Sequence, residues 1–255
     1  MKGPNSLTLR ETLAGIRLVA GRELGAYFDS SIAYVFTIAF VVLANSIFMN
    51  EFFLTGAVDM TPFFDLLPLL LAFFLSAITM RLWAEERKAR TIELLLTLPI
   101  RPFQAILGKY IAALGLFGLF IVGSLPIAVM LFSLGDPDPG LIVSAYLGLV
   151  LLGALLLASG MFLSALSGDQ IVAFVTSALL GFFLVLTGND KVVEVLDGLA
   201  PTLAPGTFLY ENVSVMPHYD GFVRGAIDLA SLVYFGGTSA LFLAMTALVL
   251  RRNRT

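Results

Sequence analysis

There is no cysteine in this chain of 255 residues, and histidine occurs once, as His218. The first absence excludes a disulfide framework, a thiolate nucleophile and a zinc–thiolate site. The second excludes any site built from several histidines. Charge is the third scarcity. Only 13% of residues are Asp, Glu, Lys or Arg, whereas a soluble surface needs roughly 25–35%. The net charge of −3 and the pI near 5.1 offer no basic footprint for nucleic acid.

What the chain has instead is apolar surface. Hydrophobic residues make up 58% and mean hydropathy is +0.95. Disorder needs the opposite balance. An integral membrane protein remains.

A hydrocarbon core about 30 Å thick takes about 20 apolar residues as a helix. Six stretches qualify as transmembrane helices: 30–50, 63–82, 109–133, 141–166, 170–188 and 229–250. They lack the alternation of barrel strands, so the fold class is all-α. Glu11, Arg17, Arg22 and Glu23 interrupt any signal-peptide core in the first 29 residues. Of the 15 lysines and arginines, only Lys191 and Arg224 fall on one side of the membrane. The positive-inside rule then places both termini in the cytoplasm. No internal repeat supports an inverted-repeat transporter.

Within segment 1–29, Leu9, Leu13, Ile16, Ala20, Leu24 and Tyr27 share one helical face. This predicts an amphipathic helix lying in the inner interface; the alternative is a cytosolic helix packed on protein. The outer segment 189–228 contains Pro201, Pro205 and Pro217, which exclude one long helix. Its apolar content predicts an outer-leaflet helical segment. Phe208, Tyr210 and Phe222 are the candidates for an outer gate. A compact cap without a gating role is the alternative.

Charge is densest after the second span. Glu86, Arg90, Glu93 and Thr97 fall on one stripe of a helix over 83–98, with Pro99 as its stop. Glu86 and Arg90 are spaced i,i+4, and Arg90 and Glu93 i,i+3. Trp83 is expected to anchor this helix at the interface and Lys109 to anchor the third span. A solvated connecting helix explains the stripe; a docking surface for a soluble partner also explains the apolar residues beside it.

Glu85, Glu86, Arg87, Thr91, Glu93, Leu94, Pro99, Gly108 and Lys109 stand at the positions of a recognisable pattern. The chain resembles the ABC-2 type transporter permeases, and among them the gliding-motility-type permease subunit. The runs Glu23–Ser30, Asp59–Phe64 and Phe222–Asp228 agree. The resemblance implies a single transmembrane domain in a bacterial inner membrane. It implies a second permease subunit, identical or not, and two copies of a separate ATPase. An auxiliary protein with a large extracytoplasmic domain often accompanies such permeases. The helix over 83–98 would be the coupling helix, acting through Glu85, Glu86, Arg90, Thr91 and Glu93.

No catalytic constellation or metal set appears. The one Gly-Lys pair, Gly108-Lys109, has Phe103 where a phosphate-binding loop needs glycine. ATP and Mg would be bound by the partner ATPase, and this chain would be a non-catalytic subunit driving export or a mechanical output. A membrane scaffold within such a complex is the second reading. A stand-alone secondary transporter is the third, disfavoured because no ionisable residue sits at the centre of a span. The hydroxyl and amide groups in mid-span, such as Asn45, Ser76 and Ser159, are expected to serve packing.

Overall fold

Backbone amides and carbonyls in a bilayer core must be satisfied within the protein. The long apolar runs meet this requirement as helices. The structure, a computed structural model, describes residues 9–89, 101–200 and 203–252. Among them the elements are α1 (Leu9–Phe28), α2 (Ser31–Thr55), α3 (Thr61–Thr79), α4 (Ala84–Lys88), α5 (Pro102–Leu134), α6 (Pro139–Leu166), α7 (Gln170–Leu186), α8 (Asp190–Leu199), α9 (Pro205–Asn212), α10 (Met216–Val223) and α11 (Leu229–Arg252). No strand occurs among the described residues.

Five helices are long and apolar enough to cross a membrane: α2, α3, α5, α6 and α11. Helix α7 has 17 residues, about 25 Å of rise. It makes a sixth span only together with α8, across a bend of 85°. Local chemistry explains the break. The Asn189 side chain accepts from Lys191 N at 3.1 Å and starts α8 as an N-cap. The Leu184 carbonyl, near the end of α7, accepts from Val215 N at 3.2 Å and Ser214 Oγ at 3.2 Å. The outer segment therefore folds back onto the end of α7 as short helices.

Helices α3 and α6 form the middle of the bundle, and α2 and α11 are its least enclosed spans. Phe40 of α2, Phe74 of α3 and Phe120 of α5 pack together. Phe40 stacks on Phe120 at 4.4 Å and meets Phe74 edge-on at 5.5 Å. Small residues let α6 approach its neighbours: a Cβ at Gly153 would run into the Phe117 ring, and one at Gly160 into Thr79. In α5, Gly115 faces Leu24 of α1, whereas Gly118 faces open space.

Pro68 and Pro126 lie inside α3 and α5 without ending them. Pro68 has no N–H for the carbonyl of Phe64, four residues earlier. Tyr219 of α10, fully buried, donates its hydroxyl to that carbonyl at 2.9 Å. Tyr219→Phe should therefore leave a buried acceptor unpaired and cost about 1–2 kcal/mol. Thermal unfolding of the detergent-solubilised chain measures this; an unchanged midpoint would show that the carbonyl needs no donor.

Helix α1 packs lengthwise on α5. Val19 sits against Gly108, Leu24 against Gly115, and Gln104 against Gly15. The Gln104 amide donates to the Thr12 carbonyl at 3.3 Å. Along the apolar stripe of α1, Ala20 and Tyr27 are buried, the Tyr27 hydroxyl donating to the Ile78 carbonyl of α3 at 3.4 Å, while Leu13 stays exposed, as does Leu18. The protein-packed reading thus describes one side of the helix, and apolar surface remains on the other.

Candidate functional site

The charged side chains converge where α1, α4, α5 and the turn from α6 to α7 meet. Helix α5 begins at Pro102, so Lys109 lies about two turns inside it. The expected interface anchor is in fact 3% exposed. Its Nζ is 3.1 Å from Glu23 Oε1 and 2.9 Å from Glu86 Oε1. It also stands 5.2 Å from the centroid of the Trp83 ring, within cation–π range. Trp83 is likewise not an anchor at a membrane surface; it is 1% exposed. One ammonium thus ties α1, α4 and α5 together.

Arg22 extends the network, 2.7 Å from Glu23 and 3.9 Å from Glu86. Burial pushes the Glu23 carboxyl up, but Lys109 and Arg22 outweigh it and the net shift is downward. Arg81 donates to Glu85 at 3.0 Å and to Ser30 Oγ at 2.8 Å. Glu23, Tyr27, Arg81, Glu85, Glu86 and Lys109 line a cavity of about 220 Å³. At its flank Arg87 donates to the Leu166 carbonyl at 2.7 Å, and Lys88 pairs with Asp169 at 3.2 Å. A hydrogen bond from Ile171 N and the Lys88 ammonium hold the Asp169 carboxyl below its ordinary value.

Helix α4 has no capping side chain of its own at Trp83. Ser164 of α6 takes that role. Its Oγ accepts from Trp83 N at 3.1 Å and Ala84 N at 3.2 Å, and donates to the Met80 carbonyl at 3.2 Å. In the sequence Ser164 reads as a small packing residue, because a cap supplied across 80 residues has no local signature. Ser164→Ala should strand these buried groups at a cost of about 1–2 kcal/mol. Protease accessibility at Arg87 and Lys88 should rise with it; unchanged cleavage would refute the capping role.

Of the coupling candidates, Glu85 is half exposed and Glu86 is turned inward onto Lys109. Arg90, Thr91 and Glu93 lie outside the described residues. The gate candidates do not form one surface. Phe208 is exposed and Tyr210 half-buried on α9, whereas Phe222 of α10 is fully buried against Gly148 of α6. The Phe222 ring packs between Gly148 of α6 and Phe235 of α11, so it is the enclosed member of the three outer-gate candidates. Near it, burial pushes the Asp220 carboxyl up to about 6, reinforced by Asp65 and opposed by Arg224.

Helices of this length and hydropathy around a buried aromatic core define a multi-pass, all-α membrane protein. Residues 53–250 match the family model described as ABC-2 family transporter protein, and the chain belongs to that family. It is thus a membrane component of ABC transport. No individual curated protein gives a significant match. The matched region takes in Glu85, Glu86 and Lys109 of the charged cluster; Arg22 and Glu23 on α1 lie ahead of it.

Proposed function

We propose that this chain is the permease subunit of an ATP-driven ABC transporter, coupled to a separate ATPase through the charged end of the bundle. The family match over most of the chain carries this reading. The ion network supports the coupling part. A force applied at α4 meets Glu86, which grips Lys109 of α5 and, through it, Glu23 of α1. Glu85 stays accessible beside it.

In this reading the charged end faces the cytoplasm of a bacterial cell, because basic residues concentrate there, and both termini lie on that side of the inner membrane. Leu13 and Leu18 of α1 rest in the interfacial region. Two copies of the ATPase bind ATP and Mg, a second permease completes the membrane half, and the cargo is exported or the cycle performs mechanical work. Phe208 and Tyr210 of α9 face the outer side, where an auxiliary protein would dock. The gliding-motility-type assignment rests on the runs Glu23–Ser30, Asp59–Phe64 and Phe222–Asp228.

Co-expression with the ABC ATPase subunits of the same organism, followed by purification through a tag on the permease, tests the reading. A stoichiometric complex whose ATPase rate changes on assembly is expected. Recovery of the permease alone, from cells that contain the ATPase, would overturn it.

A further inference from the structure

At the end of the bundle opposite the ion triad, a cleft of about 650 Å³ opens between the start of α6 and the link from α10 to α11. Asp138, Leu141, Val143, Ser144, Arg224 and Ile227 line it. Ser144 is the first signal. It is 2% exposed, and its Oγ has no hydrogen-bond partner among the described residues. Three other buried span serines bond back to a carbonyl three or four residues earlier, Ser76 to Ala72, Ser124 to Ile121 and Ser159 to Leu156, and Ser164 reaches the Met80 carbonyl. Ser177 is also without a partner among the described residues, but it does not line this cleft. A buried hydroxyl left unpaired is costly and calls for an explanation.

The start of α6 is the second signal. Pro139 has no N–H, Gly140 N is taken by Asp138 Oδ1 at 2.8 Å, and Ile142 N by the Asp138 carbonyl at 3.3 Å. The Leu141 amide remains as the first-turn donor, at the positive end of a 28-residue helix. Arg224 is the third. It is exposed and makes no ion pair among the described residues, although Asp65 and Asp220 act on it through space. Asp138 puts a carboxylate in the same cleft. From the cleft, exposed Val143, Leu147 and Val150 continue along one face of α6 at spacings of four and three.

We propose that this cleft holds a phosphoglyceride with a primary ammonium in its headgroup, an ethanolamine-type lipid. The phosphate takes Arg224 and the Leu141 amide. Ser144 Oγ reaches the ester oxygens by rotation about χ1. The ammonium donates to Asp138, and an acyl chain lies along Val143, Leu147 and Val150. One cation and one anion in the same cleft match a zwitterion better than an anionic headgroup. The apolar stripe favours a lipid over free phosphate. The inference goes beyond the permease reading and does not depend on it.

Native mass spectrometry of the full chain tests it, after delipidation and titration with phosphatidylethanolamine, phosphatidylcholine or inorganic phosphate. Phosphatidylethanolamine should bind about tenfold more tightly than phosphatidylcholine, whose quaternary nitrogen has no proton to donate. Arg224→Gln should weaken both lipids by about tenfold. Asp138→Asn should abolish the preference between them while keeping the cap, since its side-chain oxygen still accepts from Gly140 N. Equal binding of the two lipids by the wild type would overturn the proposal. So would displacement of the lipid by inorganic phosphate, which would make this a phosphate site. A loss of dimer in Arg224→Gln with lipid binding intact would assign the cleft to a second copy instead. If Arg224→Gln fails to fold, the lipid preference of Asp138→Asn decides alone.

Discussion

Lys109→Met should destabilise the bundle by about 3–5 kcal/mol, the range for removing one partner of a buried ion pair. The substitution conserves length and deletes an ammonium that touches both Glu23 and Glu86. Arg22 stays beside them, 2.7 Å from Glu23 and 3.9 Å from Glu86, but it is half exposed. The double change Glu23→Gln with Glu86→Gln in the Lys109→Met background should recover most of the loss, because the uncompensated charges are gone. Acid supplies an independent readout. The folded-state value of Glu23 lies below the ordinary 4.5. Its contribution is therefore present above the unfolded value and lost as pH falls through the folded one. Wild type should weaken in acid below about pH 4.5 through this group. Lys109→Met removes the main opposition to burial, which then pushes Glu23 upward, so the variant should weaken less as pH falls. Parallel acid profiles for the two proteins would show that Lys109 and Glu23 are not coupled.

The spans were the most legible part of the sequence, because hydropathy over about 20 residues reports the cost of placing a helix in lipid. The bend between α7 and α8 was less so. Residues 170–188 are apolar enough to read as one span, but Asn189 starts a new helix and the link through Ser214 and Val215 takes the Leu184 carbonyl. That competition is tertiary and leaves no mark on a hydropathy window. Pro68 is a similar case, since its tolerance rests on a hydroxyl 151 residues away, on Tyr219.

The charged cluster was legible as a density of charge and not as a structure. Lys109 and Trp83 carry the residue types of interface anchors, and nothing local distinguishes an anchor from a buried partner. The difference is made by Glu23 on α1, 86 positions earlier in the chain. For the same reason the buried side of α1 could not be told from its exposed side. Protein interior and lipid are both apolar, so Val19 and Leu18 look alike in sequence although one is buried and the other exposed. The cleft beside Ser144 was invisible too, because Arg224 reaches α6 only through the fold of α10.

Arg90→Glu and Glu93→Lys should each abolish ATPase stimulation or assembly while leaving the permease in the membrane. Both residues fall on the polar stripe of the expected coupling helix, spaced i,i+3. Such a pair within a helix is worth only about 0.2–0.5 kcal/mol, too little to explain a lost complex. A charge reversal against a complementary partner surface costs several kcal/mol. The double reversal separates the two roles. Arg90→Glu with Glu93→Lys restores an oppositely charged pair on the helix but presents each charge to the partner with the wrong sign. If the stripe only stabilises its own helix, the double variant should regain stimulation. If it docks on the ATPase, the double variant should be as inactive as either single change. Normal stimulation in both single variants would remove the coupling role from these residues altogether.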